Sequence, residues 1–275
     1  MTSKIYILLP VHNRKAYTHG FVECLKAQTF TDYHLVLIDD GSTDGTEEMV
    51  KENIPSVTAL RGSGDWWWAG CLQQGLNWLK RNPPKPSDII LMINDDVTFK
   101  PDFLEKGVRF LQKFPQSLLQ ANFYDAQQGK VIEMGRGADY QHMGFPITET
   151  QESIKCLSTR GLFLRWDVCM KVGGFHPFML PHYGSDSEYT IRAGRKGFAL
   201  RTSPEVFLAP DLEATGTRDE GHGIGPIALF SKRCTINPLY WTSFILLTFP
   251  VRWIPINVAR VWLRAFLVLL RWVKT

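Results

Sequence analysis

Two common phosphate-binding signatures are missing from this 275-residue chain. No Gly-x-Gly-x-x-Gly follows the first apolar run, and no Gly-Lys-Ser/Thr loop occurs. Dinucleotide and P-loop chemistry are therefore disfavoured. Cysteine is sparse: the residues at 24, 71, 156, 169 and 234 are odd in number and lack metal-ligand spacing. They read as free thiols of a reducing cytoplasm rather than as a zinc site. No Ser/His or Cys/His constellation demands a covalent intermediate. The net charge of +4 is too small to imply nucleic acid, and no nucleic-acid partner is expected. Repeats and low-complexity segments are absent. Leu239–Val251 has thirteen residues and is interrupted by Pro250, short of the roughly 20 that a spanning helix needs. The opening MTSKIYILLPV has too short an apolar stretch for a secretory signal and reads as a first strand.

Apolar residues make up 44% of the chain, enough for an ordinary core. Ile5–Val11 is a continuous apolar run, and a helix with Tyr17, Phe21, Cys24, Leu25 and Gln28 on one stripe follows it. Leu35–Ile38 and Val57–Leu60 read as further buried strands. Glu47 and Glu48 open the helix between them, where the dipole favours acids. A helix over Ala69–Arg81 ends at Pro83, Pro84 and Pro86 and leads into Ile89–Ile93, five apolar residues in a row. Strand–helix alternation of this kind predicts an α/β fold, with a parallel sheet flanked by helices on both faces.

Carboxylates end two of these strands in pairs, Asp39-Asp40 and Asp95-Asp96. Adjacent acids at buried strand ends repel each other and need a counter-ion. Ligands of open α/β sheets sit outside the carboxyl ends of the strands. A nucleotide with a hard divalent cation, Mg²⁺ or Mn²⁺, accounts for both pairs. One carboxylate accepts hydrogen bonds from a base or ribose, and the other holds the cation that neutralises a diphosphate. The plainer alternative is that the acids form turns or cap helices.

PVHNR (10–14), IDDGSTDGT (38–46) and NDDVTFKPD (94–102) resemble, in order and spacing, the family 2 glycosyltransferases with the GT-A fold. The resemblance spans roughly residues 4–215. It implies a mixed, mostly parallel Rossmann-like sheet, a nucleotide-sugar donor (a UDP- or dTDP-sugar) and an inverting transfer. By motif position it assigns Pro10, Val11, His12, Asn13, Asp39 and Asp40 to the base and ribose, Asp95 to the ribose, and Asp96 to the metal and diphosphate. Many relatives carry an Arg or Asn after the third strand. Here Trp66-Trp67-Trp68 stand instead, similar to the Gly-x-x-Trp-Trp-x-Gly loop of rhamnosyltransferase-like members. Three consecutive tryptophans cannot share one face, so at least one is expected to be exposed. Indoles stack on the C–H faces of sugars, which suggests a donor or acceptor wall, and core packing is the alternative.

In the second half, Phe103–Phe114 reads as a helix and Leu118–Tyr124 as a strand. Residues 125–155 read as an acceptor-facing insertion, and Cys156–Trp166 as a strand interrupted at Thr159-Arg160-Gly161. Gly161 suits close approach of the backbone to a donor sugar. Arg160 suits a phosphate or an exposed edge. The stretch around Ser185-Asp186-Ser187-Glu188 matches the family's acidic segment carrying the general base, which falls on Asp186. Ser185-x-x-Glu188 also has the form of a capping box, with Glu188 structural. Asp186 then faces the cleft, kept ionised by the helix dipole. The family's later metal-site His has no clear match, and Asp211 and His222 are the candidates.

From Pro238 the composition shifts. On a helix over Asn257–Thr275, Arg260, Arg264, Arg271 and Lys274 fall near one stripe, beside tryptophans and many apolar residues. Such helices lie in a membrane interface and attract anionic lipid. The alternative is packing on the catalytic domain or a partner. The expected organisation is a catalytic domain over 1–225, with a nucleotide-binding half (1–115) and an acceptor-facing catalytic half (116–225), then a membrane-associating helical tail over 226–275. The expected enzyme is a hexosyl- or deoxyhexosyltransferase, peripheral on the cytoplasmic face of the inner (plasma) membrane and acting on a lipid-linked or cell-surface glycan. A nucleotidyltransferase or a non-catalytic nucleotide-sugar-binding protein is the competing reading.

Overall fold

A computed structural model describes residues 3–125, 130–148, 150–211 and 226–273. The first half alternates as the apolar runs predict: β1 (Ile5–Val11), α1 (Lys15–Lys26), β2 (Tyr33–Asp39), α2 (Thr46–Asn53), β3 (Val57–Arg61), α3 (Trp67–Arg81) and β4 (Ile89–Met92). These four strands are parallel, in the order β3-β2-β1-β4. The chain winds outward from β1 to β3 and then returns to the other side of β1. The crevice between β1 and β4 is therefore a topological switch point, where α/β sheets bind ligands.

Successive strand residues point to opposite faces and feed two cores. Ile5, Ile7, Leu9, Leu35, Leu37, Ile89 and Leu91 pack against α1, α2 and a later helix. Leu8, Val36, Ile38, Ile90 and Met92 pack against Leu72, Leu76 and Leu79 of α3. The stripe expected on α1 holds only in part. Phe21 and Leu25 are buried, but Tyr17 faces out and Thr18 takes an inward position.

After β4 come β5 (Val97–Thr98), α4 (Phe103–Lys113), β6 (Ser117–Asp125), β7 (Lys130–Glu133), β8 (Leu162–Arg165), α5 (Trp166–Val172), α6 (Ser185–Arg195) and β9 (Ala199–Pro210). β8 runs antiparallel to β4 and to β6, while β9 runs parallel to β6. The sheet is thus mixed, with a parallel nucleus. The strand expected over Cys156–Trp166 survives only as β8, because Gly161 turns the chain with φ +76° and Trp166 already opens α5.

Three helices close the chain: α7 (Pro226–Leu229), α8 (Pro238–Thr248) and α9 (Ile254–Val273). Asn237 caps α8, accepting from the Leu239 and Tyr240 N–H groups. Phe244 and Ile245 of α8 join Leu180, Ile191 of α6 and Val261 of α9 in a third cluster. Asn257, Val261 and Ala265 are the buried positions of α9, spaced four apart as one helix face requires. Asn257 also donates to the Tyr140 carbonyl at 2.7 Å. Val251–Arg271 is long and apolar enough to cross a membrane by length and composition, with mean hydropathy 1.5 and 17% of it buried.

Candidate active site

The loops after β1, β2 and β4 meet at the switch point, and the acids there have partners. Asp39 Oδ1 accepts from the Ser42 N–H at 2.7 Å. Asp40 is held by the tryptophan loop: Oδ1 accepts from Gly64 N at 2.8 Å, and Oδ2 from Trp66 N at 2.8 Å and Trp67 N at 3.1 Å. Gly62 makes that approach possible, since a Cβ there would collide with Asp40 Oδ1 and the Trp66 ring. Asp95 turns back toward α1, accepting from Arg14 Nε at 2.8 Å and Thr18 Oγ1 at 2.8 Å. Burial pushes the Asp95 carboxyl up, against the pull of Arg14 and Thr18. The repulsion expected between paired acids is thus relieved by backbone N–H groups at Asp39 and Asp40 and by guanidinium groups at Asp95 and Asp96.

The Pro10–Asn13 segment stitches the β1 and β2 ends together. The Val11 carbonyl accepts from Asp40 N at 2.9 Å. His12 Nδ1 lies 2.7 Å from the Asp40 carbonyl and must be its donor, because a carbonyl only accepts. Asn13, with φ +51°, receives the Thr43 N–H on Oδ1 at 2.8 Å.

Asp96 has a different setting. It lines a cavity of about 510 Å³ with Arg14, Trp68, Asn94, Arg160 and Asp186, closed by Tyr240, Trp241 and Phe244 of α8. Arg160 Nη2 stands 3.3 Å from Asp96 Oδ1, and Arg14 Nη2 stands 3.5 Å from Oδ2. The Asp96 carbonyl accepts from Asp211 N at 2.9 Å, which fixes Asp211 beside it. Asn94 Oδ1 is buried with no hydrogen-bond partner among the described residues. His222 lies outside the described residues.

Asp186 reaches the cavity by a route that differs from the capping box. Gly184 is the N-cap of α6, and Ser185 is already helical, its hydroxyl donating to the His182 carbonyl at 2.7 Å. Glu188 does not reach back. It is buried and pairs with Arg192 one turn on, at 2.7 and 2.9 Å. A buried carboxylate gains more from a charged fork than from one backbone N–H. Asp186 is consequently the second helical residue, with Oδ1 accepting from Ser187 N at 2.8 Å. His182 lines the same cavity, and burial lowers its pKa.

The three tryptophans diverge, and all are half-buried, so none takes the exposed place expected. Trp68 faces the cavity and donates Nε1–H to Thr159 Oγ1 at 2.9 Å. Trp66 packs with the α3 core. Trp67 donates to Asp65 and meets His182 edge to face. Gly161 faces the core instead of a sugar: a Cβ there would meet Leu208 at 2.5 Å. Asp39, Asp40, Asp95 and the Pro10–Asn13 segment form a neighbouring cluster at the strand ends rather than part of the cavity lining. Arg14 and Asn94 lay inside motifs already noted, but only the fold reveals what they touch. Tyr240, Trp241 and Phe244 lay hidden in a run that reads as a tail.

Fold and site together define a GT-A-type α/β domain with a cleft at its switch point, where Asp96 and Asp186 stand beside Arg14 and Arg160. Residues 6–179 match the sequence family described as Glycosyl transferase family 2, and the chain belongs to that family. It is 24% identical over 211 residues to Glycosyltransferase AglE of Haloferax volcanii, covering 74% of this chain and 65% of that protein. The chain spans between 46% and 65% of the length of the curated relatives it matches. Among solved structures it resembles the mannosyltransferase PcManGT from Pyrobaculum calidifontis in complex with GDP-Man and Mn²⁺. That likeness has a TM-score of 0.60 at 16% identity, over 96% of this chain and 75% of that one. It also resembles GalNAc-T7 with UDP, GalNAc and Mn²⁺, with a TM-score of 0.61 at 14% identity, over 75% of this chain and 43% of that one.

Proposed function

We propose that this chain is an inverting, metal-dependent glycosyltransferase that moves a hexose or deoxyhexose from a UDP- or dTDP-sugar to a hydroxyl of a lipid-linked or cell-surface glycan. The observation that carries the reading is the shared cavity of Asp96 and Asp186. Two separated acids with distinct partners suit a leaving-group site and a base. The relatives' names, and the nucleotides named with the solved structures, support the donor class.

The chemistry is a single displacement. Asp186 removes the proton of the acceptor hydroxyl, whose oxygen forms a bond to the anomeric carbon as the bond to the diphosphate breaks. Inversion follows from attack opposite the leaving group. His12, Asn13, Asp39, Asp40 and Asp95 set the shape of the nucleotide side. Trp68 and the α8 residues Tyr240 and Trp241 offer apolar faces to the donor and acceptor sugars. Among the described residues no three His, Cys, Asp or Glu side chains gather into a metal site. Mg²⁺ and Mn²⁺ nonetheless suit this donor set, because they need few protein oxygens and complete their shell with phosphates and water. Asp96 would hold the ion, with the orphaned Asn94 Oδ1 and Asp211 beside it. Bound there, a dication stabilises the charge that develops on the diphosphate.

The C-terminal helices read as a membrane-surface element at the cytoplasmic face. Ile256, Trp262, Leu263, Phe266, Leu267 and Leu270 are exposed on α9, and residues 238–273 contain arginines but no Asp or Glu. A position in the interface agrees better with α9 than spanning does. Asn257 is tied to Tyr140, and Arg260 to the Gln141 carbonyl, so crossing the bilayer would break polar contacts with the domain.

The test is Asp186→Asn in the full chain. Transfer is expected to fall by about 10²–10⁴-fold, with nucleotide binding and the unfolding midpoint retained. Unchanged transfer removes Asp186 from its role. A wild-type chain that binds donor but never transfers favours the non-catalytic reading.

A further inference from the structure

Arg14 and Arg160 both approach Asp96, but they are held differently. Arg14 is anchored by Asp95 at 2.8 Å and lies over the Tyr17 ring at 4.7 Å. Arg160 has no such carboxylate of its own. It reaches Asp96 at 3.3 Å, and its guanidinium lies over the Phe123 ring at 5.2 Å. Arg160 Nε and Arg14 Nη2 are each buried without a hydrogen-bond partner among the described residues. A buried donor left unused is costly, and both residues line the cavity.

The charges add a second constraint. Asp95 and Asp96 balance Arg14 and Arg160, so the cluster is neutral as it stands. A dication on Asp96 would repel a guanidinium held by the same carboxylate, while a diphosphate would attract it. Arginine's planar fork matches a phosphate and uses two N–H groups at once.

We propose that Arg160 exchanges partners: it neutralises Asp96 when no dication is bound, and turns its fork to the donor's β-phosphate when Asp96 holds one. Arg14, tied to Asp95, stays as the fixed charge. This inference rests on the nucleotide-sugar reading above. Arg160 thereby reads the diphosphate and also sets the affinity of the site for metal alone, two roles with opposite signs.

The experiment titrates the full chain with Mn²⁺ alone, and then with UDP and UMP, GDP and GMP, and dTDP and dTMP in Mn²⁺. In Arg160→Gln, Mn²⁺ alone is expected to bind severalfold tighter, because its competitor is gone. The preference for diphosphate over monophosphate is expected to fall about tenfold, the loss of one charge-assisted contact. Arg160→Lys keeps the charge without the fork, so its Mn²⁺ affinity should return toward wild type. A purely structural arginine would weaken both kinds of binding together. Unchanged or weaker Mn²⁺ binding in Arg160→Gln overturns the proposal, as does an unchanged diphosphate preference. If no diphosphate binds the wild type in Mn²⁺, the donor reading itself fails, and that result is distinct from either.

Discussion

Asp186 and Glu188 stand two residues apart on α6 and do different work. Glu188 is buried against the Arg192 guanidinium, which also donates to the Val172 and Gly174 carbonyls. Removing that cation strands a buried carboxylate. Arg192→Met is expected to cost about 3 kcal/mol, read from urea unfolding, and a loss below about 0.5 kcal/mol would show that Glu188 finds another partner. His182 gives a pH signature. Burial lowers its pKa from the ordinary 6.5, so below pH 6.5 the unfolded chain takes a proton that the native imidazole resists. Stability from this group is full above that pH and is lost as pH falls toward the lower native value. His182→Gln should flatten the stability profile below pH 6.5, and an unaltered slope would assign the acid sensitivity elsewhere.

At the scale of elements, α9 has two faces with separable roles. Val261 packs in the third cluster, whereas Phe266 is 55% exposed. Val261→Asp buries an unpaired charge and should lower stability by about 3 kcal/mol or more. Phe266→Asp should leave stability within about 0.5 kcal/mol yet reduce sedimentation with vesicles containing anionic lipid. Equal vesicle binding by Phe266→Asp and the parent would count against the membrane face. The segment before α8 also reaches the tryptophan loop: Lys232 meets Asp65 at 2.5 Å, and Arg233 lies over the Trp67 ring. The tail is therefore continuous with the site, because α8 supplies part of the cavity wall.

For the whole molecule, the proposed donor binding would be linked to folding. A nucleotide sugar that binds only the native state stabilises it by about 2.7 kcal/mol at a hundred times its Kd. For a chain of this length that raises the unfolding midpoint by roughly 5 °C. UDP-, dTDP- and GDP-sugars with and without Mn²⁺ form the panel, and the largest rise is expected with metal and donor together. A flat response to every member would count against the donor site. The relatives share a fold at identities near 15%, so the panel rather than the likeness must choose the nucleotide.

The sequence by itself determined the strand–helix alternation of a parallel nucleus and the loops where acids gather, while the return of β4 to the far side of β1 came from the fold. Apolar runs, breakers and turn residues act locally, and their period survives in any packing. The Asp39-Asp40 and Asp95-Asp96 pairs were legible as a place but not as four separate roles. Only the tertiary structure decided that Asp40 binds the Trp66 and Trp67 N–H groups, that Asp95 binds Arg14, and that Asp96 alone of the four lines the cavity. It also turned Gly161 toward Leu208, drew Glu188 to Arg192, and brought α8 over a cleft whose Asp96 lies more than 140 residues earlier in the chain. Those outcomes depend on which side chains meet across the fold. A carboxylate takes the strongest donor within reach, and reach is a property of the folded chain.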